Sequence, residues 1–225
     1  LKNLKTGISR DPLGLVNEIF NPKIAGEDLV LAIMKLMNRI KSDQVFPDCF
    51  EPCNITSIWK SKGAKNDFEN YRGVFRVTVF RNILDRLIYN DQYPDIDSQL
   101  SDCNVGSRKH RNIRDHIYVL NAILNSATEE NKEALDLQVY DTEKTFDTLW
   151  LHEVVNDLYE AGFNNDKLNL IFLESKSAKV AVRTPSGMSR RITLREKNNA
   201  RNSMGRALLH SDVRQTRQVC IQQTR

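Results

Sequence analysis

Apolar residues recur at three- and four-residue spacing in several stretches, and each such stretch predicts a helix with one buried face. The first is PLGLVNEIF, residues 12–20, and the second GEDLVLAIMKLMNRIK, residues 26–41, with Leu29, Ile33, Leu36, Met37 and Ile40 aligned. NITSIW, from Asn54 to Trp59, alternates instead and predicts a strand with Ile55, Ser57 and Trp59 on one face. The polar KSKGAKND after it predicts a solvent-facing turn. Val74 to Phe80 predicts another strand, and Ile83, Leu84, Leu87 and Ile88 a helix. IRDHIYVLNAILNSATEEN predicts an amphipathic helix with Ile113, Ile117, Leu120 and Leu124 on one side, before a polar loop at 126–134.

The short apolar run LDLQVY then ends on Asp141, as a strand leading into a charged turn would. Asp147 can cap the helix that follows, which is apolar at Leu151, Val154, Val155, Leu158 and Tyr159, and Gly162 stands where a helix C-terminus favours glycine. Asp166 to Ser175 predicts one more helix. AKVAVRTPSGMSRRITL alternates at Val180 and Val182 before a Pro-Ser-Gly turn, the pattern of a hairpin. The sum is an α+β chain without internal repeats.

Composition narrows the class. The chain has 225 residues, enough for a sizeable core, of which 40% are hydrophobic and 28% charged. No run reaches the roughly 18–20 apolar residues of a membrane span, and the start Leu-Lys-Asn-Leu-Lys lacks the apolar stretch expected of a signal peptide. A soluble intracellular protein, cytoplasmic or nuclear, with no membrane partner is expected. The opening Leu leads us to expect that residues precede it. Cys49, Cys53, Cys103 and Cys220 make no zinc spacing and are expected to be reduced structural thiols.

Charge is unevenly spread. Net charge is +4, yet residues 190–225 hold nine Lys/Arg against Glu196 and Asp212, so that tail carries +7 and the remainder −3. A second basic run, VGSRKHRNIR at 105–114, contains Arg108, Lys109, Arg111 and Arg114 without an acid. Such runs bind nucleic-acid backbones or form solvated faces.

Asp141 has two readings. Either it simply ends a strand, or it is a ligand held on rigid backbone where a hard cation such as Mg2+ needs oxygen. The neighbouring residues bear on that choice. YDTEKTFDTLWL resembles the first palm motif of the reverse transcriptases of non-LTR (LINE-type) retrotransposons, an aspartate followed by x-Glu-Lys-x-Phe-Asp. NYRGVF resembles that family's Asn-Tyr-Arg fingers motif, and VGSRKHRNIRDHIYVL its Gly-x-Arg-x-x-Arg segment. ISRDPLGLVNEIF and Lys-Ser-Lys-Gly also stand in the family's order, so the likeness covers residues 9 to about 190.

The resemblance implies the fingers and partial palm of a right-hand polymerase, truncated before the second catalytic motif. Residues 1–134 would be N-terminal helices and fingers, 135–193 a partial palm, and 194–225 a basic tail. Asp141 would be the catalytic Mg2+ ligand, Phe146 the steric gate against a 2′-hydroxyl, and Arg72 a contact to the dNTP triphosphate. Arg108, Lys109, Arg111 and Arg114 would cradle the template. The intact activity would be two-metal, RNA-directed DNA synthesis on an RNA template and a DNA primer.

The chain departs from the family downstream. It contains no Asp-Asp, and the Gln-Gly motif expected after TPSGMS is missing. From Glu196 onward apolar residues lose all periodicity. Codons for NNARNSMGR, residues 198–206, can be chosen so that reading one nucleotide later gives Ile-Met-Gln-Gly-Thr-Val-Trp-Gly, which leads us to expect a frameshift near residues 194–198. One carboxylate cannot hold two metals, so this chain is expected to be inactive. Two rival classes remain, a non-catalytic RNA-binding module using 108–114 and a helical interaction protein with no nucleotide role.

Overall fold

The computed structural model describes residues 1, 4–106, 108–129, 137–139, 150–176, 178–184 and 186–193. Within them lie five α-helices and one mixed sheet: α1 (Pro22–Asp43), β1 (Pro52–Trp59), β2 (Tyr71–Val77), α2 (Val79–Gln99), α3 (Ile113–Glu129), α4 (Leu151–Glu160), α5 (Asn165–Lys176), β3 (Lys179–Thr184), β4 (Gly187–Met188) and β5 (Ile192–Thr193). The α+β class expected from the sequence is therefore present.

The sheet runs β2-β1-β3-β4, with β5 also on β3. β1 and β2 form an antiparallel hairpin from Cys53 opposite Val77 to Trp59 opposite Tyr71. On its other side β1 pairs in parallel with β3, from Pro52 opposite Lys179 to Thr56 opposite Arg183. A parallel pair needs a crossover, and here all of α2 to α5 lies inside it. The expected hairpin forms between β3 and β4, with Arg183 opposite Met188 and Thr184 opposite Gly187.

The first expected helix is not one. Only Asn17–Phe20 turns, as a 3-10 helix. Asp11 captures the backbone N–H groups of Leu13 and Leu15 at 2.9 and 2.8 Å, and Gly14 is left-handed at φ +83°. That Asx-type turn competes successfully with a helix beginning at Pro12. Helix α1 starts on Pro22 after an Asn21 cap and is broken at Gly26, whose φ is 70°. Its Ile33, Met37 and Ile40 are buried, whereas Leu29 and Leu36 face outward. The second expected strand ends earlier than Phe80, because Thr78 turns extended and caps α2 by accepting the Arg81 N–H. Helix α3 runs on through Glu129 into the stretch expected to be loop.

Helix α4 begins at Leu151, with extended Trp150 in the cap position, and Asp147, the expected cap, lies outside the described residues. Its C-terminus matches expectation. Gly162, at φ +86°, donates its N–H to Tyr159 O while Phe163 donates to Leu158 O, the double bond of a Schellman motif. Phe163 and Leu158 are both buried, as that motif's apolar clasp requires.

One continuous core joins the segments. Phe80 stacks on Phe50 at 5.3 Å and meets Phe20 edge-on at 5.3 Å, tying the 3-10 turn and the residues before β1 to the start of α2. Ile33 and Ile40 of α1, Ile83 and Ile88 of α2, Leu158 of α4 and Ile171 of α5 belong to the same cluster. The N-terminal strand of chain is strapped onto this body. Arg76 of β2 donates to the carbonyls of Ser9 and Arg10, and Asp11 reaches the first N–H of α2.

Candidate nucleic-acid interface

The basic run at 105–114 is a folded loop between α2 and α3. Its four cations occupy different environments. Arg108 points inward, with only 6% of its side chain exposed. Its Nε donates to Asp97 Oδ1 at 2.9 Å, Nη1 to the carbonyls of Ser101 and Asn104, and Nη2 to Asp97 O. That fork is the tie that folds 97–108 back on α2, a task that suits guanidinium because its donors are rigidly splayed. Bonding to Arg108 holds the Asp97 carboxyl below the usual carboxylate range.

Lys109 follows with its backbone N–H donated to Tyr93 Oη at 2.7 Å. Its ammonium lies over the faces of Tyr93, at 4.4 Å, and Tyr89, at 5.8 Å. Burial, reinforced by Tyr93 and Asp97, pushes the Tyr89 phenol up to about 12. Arg111 is half-exposed and pairs with Asp102 at 2.6 Å, an acid that is itself 88% exposed. Arg114 is exposed in the first turn of α3 and donates its N–H to Asn112 Oδ1. Asp115 accepts the Asn112 N–H at 3.4 Å, completing a reciprocal cap. The surface so built offers Lys109, Arg111 and Arg114 to solvent around a loop pinned by Arg108. Exposed cations on a fixed scaffold are what phosphate contacts require.

The second candidate surface is the turn joining β1 and β2. The Lys60 ammonium donates to Glu69 O and Tyr71 Oη to Lys65 O, so the KSKGAKND segment is an ordered turn. Gly63, at φ +72°, has the Asn70 carboxamide where a side chain would begin, and that amide donates to Ala64 O at 2.9 Å. Lys65 lies over Trp59 at 5.1 Å. Arg72 stands opposite Ile58 in β2, exposed, and makes no ion pair among the described residues.

Asp141 and Phe146 lie outside the described residues, so no geometry relates them to Arg72. Of the strand expected to lead into Asp141, residues 137–139 are described; they are in no helix or strand, and Leu137 and Val139 are exposed. Among the described residues no three His, Cys, Asp or Glu side chains come together as a metal would need. The described thiols Cys49, Cys53 and Cys103 are free, and burial pushes that of Cys53 up to about 11. No helix among the described residues is long and apolar enough to cross a membrane.

Sequence reasoning passed over one group altogether, the buried Arg81, Asp85 and Glu174. The signal was present: Arg81, Asp85, Ile88, Gln92 and Ile96 share one face at helical spacing, so polar residues were continuing an apolar stripe. No protein-family model matches the chain.

Proposed function

We propose that this chain is a piece of an RNA-directed DNA polymerase of the non-LTR retrotransposon type, inactive by itself. The reading is supported by YDTEKTFD, NYRGVF and VGSRKHRNIR standing in the family's order. The observation that carries it furthest is Arg72. It is exposed at the start of β2, just after a turn bearing Lys60, Lys62 and Lys65, and makes no ion pair among the described residues. An exposed fork of donors suits a triphosphate. Magnesium is the metal this reading implies, with Asp141 the one residue assigned to hold it, and the chain has no Asp-Asp to complete the set.

A second reading, a non-catalytic RNA-binding module, is favoured by the exposed Lys109, Arg111 and Arg114 on their pinned loop. Primer extension on an RNA template with dNTPs and Mg2+ separates the two. This chain is expected to incorporate nothing, a version carrying the Gln-Gly and Asp-Asp motifs in frame is expected to extend, and Asp141→Asn in that version to abolish extension. A restored protein that binds RNA but never extends overturns the polymerase reading and leaves the binding module. One that does neither overturns both.

A further inference from the structure

The sheet carries positive charge that it leaves uncompensated. Its five strands contain Arg72, Arg76, Lys179 and Arg183 and not one Asp or Glu. Lys179 meets Glu51 at 2.5 Å, and Arg76 donates to the carbonyls of Ser9 and Arg10. Arg72 and Arg183 remain, both exposed, and the side chain of neither makes an ion pair or hydrogen bond among the described residues.

Register puts these two on one face. Arg72 stands opposite Ile58 across the β1–β2 ladder, and Arg183 beside Thr56 across the parallel β1–β3 ladder. Ile58 and Thr56 are two apart in one strand, so they and their partners share a face. With strands about 4.8 Å apart and a rise of about 3.3 Å per residue, the two arginine Cα atoms lie about 12 Å apart, on either side of β1. That spacing is within the joint reach of two extended arginine side chains. Their backbones are held firmly, since β2 is laddered to β1 and β3 is paired on both sides, by β1 and, at Arg183 opposite Met188, by β4. The floor between them is uncharged: Thr56 is exposed, and Ile58 and Val74 are 52% and 46% exposed.

The fields of the two guanidinium groups add over this strip, where no acid of the sheet offsets them. Guanidinium forks pair phosphate oxygens. One phosphate can engage one fork, whereas a short chain of phosphates can engage both, and Ile58 and Val74 offer apolar surface to whatever the chain carries. We infer that Arg72 and Arg183 form a two-arginine clamp on the phosphate chain of one nucleoside triphosphate, laid across β1 with its nucleoside against Ile58 and Val74. The class of ligand rests on the polymerase reading. What is added is Arg183, brought to the triphosphate contact assigned to Arg72 from a distant part of the chain.

A single nucleic-acid strand presents the same phosphate chemistry. It is held, however, by a basic groove that tracks the backbone over several nucleotides, with aromatic rings for its bases. This face has two unengaged cations and no exposed aromatic between them, which suits a short ligand better.

Titration calorimetry of the full chain with dTTP, inorganic tripolyphosphate and orthophosphate, at low salt and without divalent metal, tests this. The parent is expected to bind dTTP and tripolyphosphate at least about tenfold more tightly than orthophosphate. Arg72→Ala and Arg183→Ala should each weaken dTTP and tripolyphosphate by about tenfold and remove that preference, while Lys35→Ala, at an exposed lysine of α1, should not. Arg183→Lys should recover only part of the loss, because an ammonium lacks the fork. A loss at Arg72 without one at Arg183 overturns the clamp and leaves the Arg72 assignment standing; no loss at either, or a parent that binds neither ligand, overturns both. Equal weakening by Lys35→Ala would reduce the effect to net charge and overturn the clamp. So would an Arg183→Ala variant that weakens only a single-stranded oligonucleotide without a 5′-triphosphate, since the arginine would then serve a nucleic-acid backbone. Primer extension enters none of these readouts, so the clamp and the polymerase reading fail separately.

Discussion

Asp11 Oδ2 accepts the backbone N–H of Val79 at 2.9 Å, across 68 residues of chain. Asp11 thereby acts as a second cap on α2, beside the local cap from Thr78, while its Oδ1 takes the Leu13 and Leu15 N–H groups. A carboxylate at a helix N-terminus also faces the positive end of the backbone dipole. Asp11→Ala removes all three acceptor bonds at a buried position and is expected to cost about 1–3 kcal/mol, on the scale of lost caps and charge-assisted hydrogen bonds. Asp11→Asn, which keeps one acceptor oxygen, should lose less. Denaturant unfolding of the two variants gives the order, and equal losses would count against the capping role.

Gly162 offers a cleaner backbone test. A Cβ added there meets no atom within 4 Å, so substitution costs only the left-handed conformation at φ +86°. Gly162→Ala should lose about 1–2 kcal/mol, and Gly162→Asn clearly less, because Asn tolerates that region. Thermal melts of the pair suffice, and an unchanged midpoint for Ala would show that the Schellman turn does not persist in solution.

Arg108 is expected to matter for stability out of proportion to its charge. Arg108→Lys preserves the cation but cannot reach Asp97 and the carbonyls of Ser101 and Asn104 together. A loss of about 1–3 kcal/mol is expected, with faster amide exchange confined to residues 97–112. Uniformly faster exchange would argue against a local pin.

The extent to which the sequence disclosed this fold follows from how local each cause is. The period of α2, α4 and α5, the alternation of β1 and the Gly162 stop are local, and each was readable. The turn at Asp11 was misread because its side chain outbids a helix that Pro12 begins. Parallel pairing of β1 with β3 was invisible, since Cys53 and Val180 meet only through packing of everything between. At the candidate site Arg72 is exposed, while Arg108, Lys109, Arg111 and Arg114 look alike as letters. Arg108 differs because Asp97, a turn and a loop away, draws it inward. Asp141 and Phe146, on which the polymerase reading leans, fall outside the described residues.

The exposed cations carry the last prediction. If Lys109 and Arg114 contact phosphates, each releases condensed counterions on binding, and the logarithm of RNA affinity falls linearly with that of salt concentration. Removing both, in Lys109→Ala with Arg114→Ala, should flatten that slope by about 1.4 on a single strand, at about 0.7 per contact. The loss should be uniform across RNA sequences, because backbone contacts carry no base information. Arg111 should contribute less than either, since Asp102 already neutralises it. Fluorescence-anisotropy titrations of a short RNA at several salt concentrations measure the slope. A double variant that binds with the parent slope would place any RNA surface of this chain elsewhere than the 105–114 loop.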